Sequence, residues 1–394
     1  MGVLVTAGIW WVLVQVDRAV WPLGLAWAVS PTLLHASVMV FGFIPLFFAG
    51  FLFTAGPRWL GVQPLDAQAL VQPLVLQATG WLIWLAGGHI HVWLSVAGLL
   101  LALAGLGQMV VKFGRLVAAS TAEDRLHVRV ILWAGRVGCI SLGGSALALL
   151  LDAPDAARAF VLTGLWGFVV VTYVTVAHRM IPFFTSSAVP MVSTWRPFWV
   201  LWALLAAAIF QVLAVWVEWR GPPGGSWGTA WAAVRGLVEL AAGGVVIWLA
   251  VAWGLVQSLK IRLLAMLHIG FVWLGLALLL GGATQWLSLI VGQPVLSLGA
   301  LHALTMGYLG SLMLAMVTRV SCGHSGRALV ADNFVWALFW LLQLATVLRI
   351  AGAVQAAPGG LIAGAAVLWA LVMPLWGWRH MGWYGRLRID GKSG

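Results

Sequence analysis

Glycines, prolines and charged residues divide the chain into about twelve apolar runs, each close to the roughly 20 residues a helix needs to cross a hydrocarbon core. The runs lie near 3–20, 31–54, 69–87, 90–111, 127–150, 157–179, 195–217, 234–257, 261–281, 297–319, 332–354 and 360–384. Inside lipid every backbone N–H and C=O must be bonded within the protein, which leaves helices as the only way to build such runs. The expected fold class is therefore all-α, a polytopic transmembrane helical bundle of about twelve spans forming a single integral membrane domain over residues 1–394. With 63% hydrophobic residues, 8% charged residues and a mean hydropathy of +1.03, too little polar surface exists to cover a water-soluble globule.

Charge placement orients the bundle. Of the 21 Lys and Arg, about fifteen fall in loops after even-numbered spans or in the C-terminal tail and five in the opposite loops, with Arg136 inside the fifth span. Short loops rich in Lys and Arg stay on the cytoplasmic side, so both termini are expected there. Topology and anionic lipid thus account for the formal charge of +11, and nucleic acid is not implied as a partner. Cys139 and Cys322 lack CxxC or other metal-type spacing and read as structural thiols. The stretch from Glu218 to Trp231, with Gly-Pro-Pro-Gly-Gly at its centre, reads as a surface loop.

Histidines inside apolar helices are costly unless they meet a ligand, a metal or a polar partner. At about 1.5 Å per residue, His35 lies about one turn into the second span and His302 about one turn into the tenth. Both spans enter from the outer face, so the two imidazoles are expected at one outer-leaflet depth, as a haem iron or a copper ion held between helices requires. His268, about two turns into the ninth span from the inside, lies deeper, and His324 falls in the inner loop after span ten; each is a further candidate ligand. Met39 shares a helical face with His35, and a thioether beside an imidazole suits Cu(I) or an axial haem position. The competing reading is a hydrogen bond to a neighbouring helix for each histidine and plain packing for the methionine. His89 and His91 at a predicted outer turn, and His127 and His380 beside cationic inner loops, read as solvated or interfacial.

Trp133-Ala-Gly-Arg136 puts a cation within the fifth span. A haem propionate or an acidic side chain would neutralise it, and a snorkelling arginine that reaches the headgroups is the alternative. Only ten acidic residues are present, nearly all at span ends, and Glu239 is the main one inside an apolar span. That scarcity argues against a proton-coupled transporter built on intramembrane carboxylates, and no P-loop, Ser/His/Asp or CxxC arrangement is present.

Several stretches, in order along nearly the whole chain, resemble the NnrS family of twelve-span bacterial membrane proteins. They are Gly50-Phe-Leu-Phe-Thr-Ala-Gly-Pro57-Arg-Trp59-Leu-Gly61, Trp133-Ala-Gly-Arg136, the Arg179-Met-Ile-Pro182-Phe-Phe-Thr185 loop after helix six, Leu267-His268, His302 through Arg319 with Gly323-His324-Ser-Gly326-Arg327, and Arg388-Ile-Asp390-Gly391-Lys-Ser-Gly394. The resemblance implies a haem- and copper-containing protein of the bacterial cytoplasmic membrane, associated with nitric oxide metabolism or with tolerance of nitrosative and redox stress. His35, His302, His268 and Arg136 would then hold haem b, with His35, His302, His268, Met39 and His324 the candidate metal ligands. The implied partners are the lipid bilayer, nitric oxide and respiratory or denitrification membrane proteins. The family's second helix opens His-x-His-Glu-Met, whereas this chain reads His35-Ala36-Ser37-Val38-Met39. That departure threatens copper binding more than haem ligation through His35. Whether the chain is an enzyme does not follow, and two alternatives stand: a non-catalytic partner or maturation factor of a respiratory metalloenzyme, and a transporter of a small solute.

Overall fold

The computed structural model describes every residue except Pro222, Ser297 and Lys392–Gly394. One proline of the Gly-Pro-Pro-Gly-Gly stretch and the last three residues of the C-terminal segment that resembles the family therefore lie outside the described residues. Among the described residues there is no strand, only an isolated bridge between Leu296 and Val354, and twelve helices are long and apolar enough to cross a membrane. They are α1 (Gly2–Ala19), α2 (Pro31–Leu60), α3 (Gln68–Ile90), α4 (Val92–Ala119), α5 (Leu126–Leu150), α6 (Pro154–Ala188), α7 (Phe198–Val217), α8 (Gly225–Ala252), α9 (Arg262–Val291), α10 (Gly299–His324), α11 (Asn333–Ala351) and α12 (Gly360–Met381).

Their ends follow local chemistry. Pro31 and Pro154 open α2 and α6 at the position where a missing N–H costs nothing. The Asp332 carboxylate caps α11 by accepting the Val335 N–H at 2.9 Å. Gly61 and Gly292, both left-handed, end α2 and α9.

Three expected boundaries are corrected. Arg179-Met-Ile-Pro182-Phe-Phe-Thr185 is not a loop: α6 runs through it with Pro182 inside, as membrane helices tolerate, and the Thr185 hydroxyl bonds back to the Ile181 carbonyl at 2.9 Å. The helix α10 continues to His324, which ends the helix where a loop was expected. Gly225, with φ +63°, turns the chain directly into α8, so the helix starts about nine residues before the expected 234 and takes in the end of the stretch to Trp231 read as a surface loop.

The helices form two compact units, one of Met1–Asp17, Pro22–Val176 and Ala208–Pro222, the other of Arg18–Trp21, Ala177–Ala207 and Pro223–Gly394. In the first, α3 and α4 make a hairpin through the single residue His91, and glycines spaced by seven let the backbones touch. A Cβ on Gly80 would lie 2.6 Å from the Gly98 carbonyl oxygen, and one on Gly98 the same distance from that of Gly80. In the second unit α8 and α9 repeat the device: a Cβ on Gly243 would meet the Gly275 oxygen at 2.9 Å, and one on Gly282 the Gly236 oxygen at 2.6 Å. Such contact offers dispersion and Cα–H···O attraction where lipid gives no hydrophobic drive.

Each unit also holds a buried glutamine bonded to an indole. In the first, Trp81 Nε1–H donates to Gln77 Oε1 at 3.1 Å and the Gln77 amide donates to the Ala102 carbonyl at 3.0 Å, tying α3 to α4. In the second, Trp273 Nε1–H of α9 donates to Gln343 Oε1 of α11 at 2.7 Å, and the Gln343 amide donates to Ser311 Oγ of α10 at 3.0 Å. Three helices carry π-helical turns: Val38–Gly42 in α2, Leu165–Val170 in α6 and Ala303–Gly310 in α10.

Candidate functional site

The π-helical turn of α10 begins directly after His302, and that of α2 begins three residues after His35. Turns of this kind insert a residue at a cost in helix geometry and are frequent at functional sites. His302 is held by its own helix. Its Nδ1–H donates to the Leu298 carbonyl one turn back, at 2.8 Å, which fixes the tautomer and leaves Nε2 with a lone pair. That is how a metal-ligating histidine is oriented before its metal arrives. Below it the turn is packed tightly: Tyr308 is fully buried, and a Cβ on Gly307 would come 2.6 Å from the Trp273 ring.

His268 is fully buried in α9, and its Nε2 lies 2.9 Å from Thr185 Oγ1 of α6. Two stretches quoted for the family resemblance thus meet in one hydrogen bond across 83 positions. Gly270 of α9 faces Ser311 and Leu312, and Trp273 faces Gly307, so α9 and α10 run antiparallel. His268 and His302 are therefore about eleven residues, or roughly 16 Å, apart along that pair, and no single ion reaches both. His178 is likewise buried, with Nε2–H donating to the Pro197 carbonyl at 3.1 Å. Replacing Thr185 by valine is expected to lower stability by about 1–3 kcal/mol, because the buried imidazole loses its hydroxyl partner with no change of shape. Thermal unfolding of the detergent-solubilised variant measures it.

His35 belongs to the first unit, where its ring stacks on Trp11 at 3.7 Å between centroids and 17° between planes. The neighbouring Trp10 donates through Nε1–H to His89 Nε2 at 2.8 Å, and His89 Nδ1–H donates to the Ala26 carbonyl at 2.9 Å. Two consecutive tryptophans of α1 thus hold two imidazoles. Met39 lies inside the π-helical turn of α2. Arg136 is exposed on the face of α5, its guanidinium 4.2 Å from the Trp133 ring. That placement matches a snorkelling arginine under an interfacial indole.

His324 is exposed at the end of α10, about 30 Å of helix from His302. The Gly323–Arg327 turn after it has a structural task. The Ile389 N–H donates to the Ser325 carbonyl at 3.1 Å, and a Cβ on Gly326, whose φ is +71°, would lie 2.7 Å from Asp390 Cγ. Arg327 covers Trp383 at 4.5 Å, and Tyr384 pairs with Ser321 at 2.8 Å. The turn is the cradle of the C-terminal Arg388-Ile-Asp390 segment. The same tail overturns the solvated reading of His380, which is fully buried between the rings of Trp376 and Trp383 and donates through Nδ1–H to the Trp376 carbonyl at 2.8 Å. His127, 1% exposed, is buried too.

Glu239 is paired with Arg235 one turn earlier at 2.9 Å, and Gly281 makes room for it, since a Cβ there would lie 2.6 Å from Oε2. Gln77, Gln343 and Ser311 carry no charge and so do not stand out in the sequence as His302 does; a polar side chain inside an apolar run is the available signal. Among the described residues no group of three or more His, Cys, Asp or Glu converges as a metal site would require.

The profile of a family described as NnrS protein matches residues 1–388. No curated protein and no solved structure matches the chain.

Proposed function

Because the chain belongs to the NnrS family, we propose that it is a haem-binding protein of the bacterial cytoplasmic membrane acting in nitric oxide metabolism or in tolerance of nitrosative and redox stress, with His302 as a haem-iron ligand. The observation that carries this reading is the Nδ1–H bond from His302 to Leu298, which presents a neutral Nε2 lone pair beside a π-helical turn. His302 fits haem b by its tautomer, by its place one turn into an apolar helix and by the apolar wall that follows it. Bound haem would supply a redox-active iron able to take nitric oxide.

The remaining work belongs to the chain. The Leu298 carbonyl orients the imidazole, and Tyr308, Gly307 and Trp273 pack the turn against water. His35, in the first unit, is a further candidate haem-binding histidine taken by itself, its ring plane held by Trp11. His268 serves as a ligand only through Nδ1, because Nε2 meets Thr185. Arg136 meets a propionate only at the bundle surface, and His324 takes a metal only at the end of α10.

Copper is a separate matter. The His35-Ala36-Ser37-Val38-Met39 sequence keeps one imidazole and one thioether but lacks the second imidazole and the carboxylate of the family's segment, which leaves a weaker donor set for copper. Iron, haem and copper assayed on one purified sample, with the haem type read from its pyridine complex, test both parts. The expected result is b-type haem with copper far below one per chain. Haem-free protein from haem-replete cells would contradict the first part, and one copper per chain the second.

A further inference from the structure

Within the first unit, α2, α4, α5 and α6 surround a cavity of about 50 Å³. Pro45, Ala49 and Phe53 of α2, Met109 of α4, Gly135 of α5 and Phe168 of α6 are among the residues of its wall, which is apolar. Two edge-to-face aromatic pairs stiffen the wall: Phe48 with Phe168 at 5.8 Å and 77°, and Phe53 with Phe113 at 6.0 Å and 85°. The cavity adjoins two of the π-helical turns, since Pro45 closely follows Val38–Gly42 and Phe168 is part of Leu165–Val170. Pro45 also brings no N–H to bond the preceding turn, so the helix cannot close up there. Val110 and Leu132 in the lining are partly exposed, so the cavity reaches the apolar outer surface of these spans.

We infer that this cavity is a binding site for one small, uncharged, apolar gas molecule. Water needs two to four polar partners and finds none here, so the space stays dry. Ions are excluded by the same lining. Its volume is about a third of the roughly 150 Å³ that lets an apolar cavity take benzene, which suits a xenon atom or a diatomic gas and is too small for more than the tip of an acyl chain. Apolar gases concentrate in the bilayer, and the cavity reaches the apolar outer surface. Nitric oxide is the natural occupant, and that identity, though not the site, rests on the function proposed above.

Xenon tests the site without any haem. The full chain, labelled at its methionine methyl carbons and placed in lipid nanodiscs, is followed by NMR under rising xenon pressure, with the Met109 signal assigned through Met109→Leu. Met109 is 5% exposed and lines the cavity, whereas Met191 is 89% exposed and serves as the reference. The expected result is a saturable shift of Met109 and no saturation at Met191. Ala49→Leu and Val110→Phe, which fill the space from opposite walls, are expected to abolish the saturable shift. An unsaturable Met109 shift in the unmodified chain, as a resident acyl chain would give, overturns the inference, and so does a saturable shift that survives in either folded variant. Saturable xenon binding by a protein that takes no haem would sink the proposed function alone; haem binding without xenon saturation would sink the cavity site alone.

Discussion

His302→Ala is expected to abolish the haem absorption of the purified protein, while His89→Ala leaves it intact. The two histidines are good controls for each other because each sits near a helix end and each is hydrogen-bonded through Nδ1–H to a backbone carbonyl. They differ at Nε2. In His89 that nitrogen already accepts the Trp10 indole N–H at 2.8 Å and has no lone pair to offer. Loss of a second-shell partner alone costs a metal site about 10–100-fold in affinity; removal of the ligand itself should exceed that and leave no Soret band at ordinary protein concentration. Visible absorption, normalised to folded protein by gel filtration, decides between the two variants.

Gly98→Leu is expected to prevent the first unit from folding, and Gly107→Leu, nine residues along the same helix, to be tolerated. At Gly98 the new Cβ would fall 2.6 Å from the Gly80 carbonyl oxygen and 2.6 Å from the Trp84 nitrogen. Both are backbone atoms of α3, which cannot rotate aside as a side chain can. Overpacking of a core costs about 1–3 kcal/mol when side chains can adjust, so that range is a lower bound here. Gly107 has nothing within 4 Å of its Cβ position, and exchanging glycine for leucine inside a helix gains several tenths of a kcal/mol or more in propensity. Folded yield and thermal unfolding in detergent report the difference, and equal behaviour of the two variants would refute the close-packed hairpin.

The twelve spans were legible because lipid imposes the constraint: a run of about twenty apolar residues must be helical wherever it packs. The π-helical turns were not, since Ala303–Gly310 reads as an ordinary apolar helix and the inserted residue leaves no mark in its hydropathy. The position of His302 was readable from the chain, but its tautomer, which makes it a ligand candidate, depends on a carbonyl four residues back and appears only in three dimensions. Thr185 and His268 each stood in a stretch that resembles the family, and nothing local joined them. The loop reading at Pro182 failed because proline's usual meaning as a helix breaker is relaxed inside a membrane bundle. His380 was misjudged for the opposite reason: its cationic neighbours are at the surface, but Trp383 folds back over the ring.

The claim that His302 ligates haem iron is tested most directly by chemical rescue. His302→Gly, which removes the side chain and leaves an imidazole-sized gap, is purified from haem-replete cells with and without added imidazole, beside the unmodified protein. The account predicts a b-type Soret band in the unmodified protein, its loss in the variant, and its return when imidazole is supplied. A variant that keeps the full band without imidazole, or an unmodified protein that shows none, would contradict it.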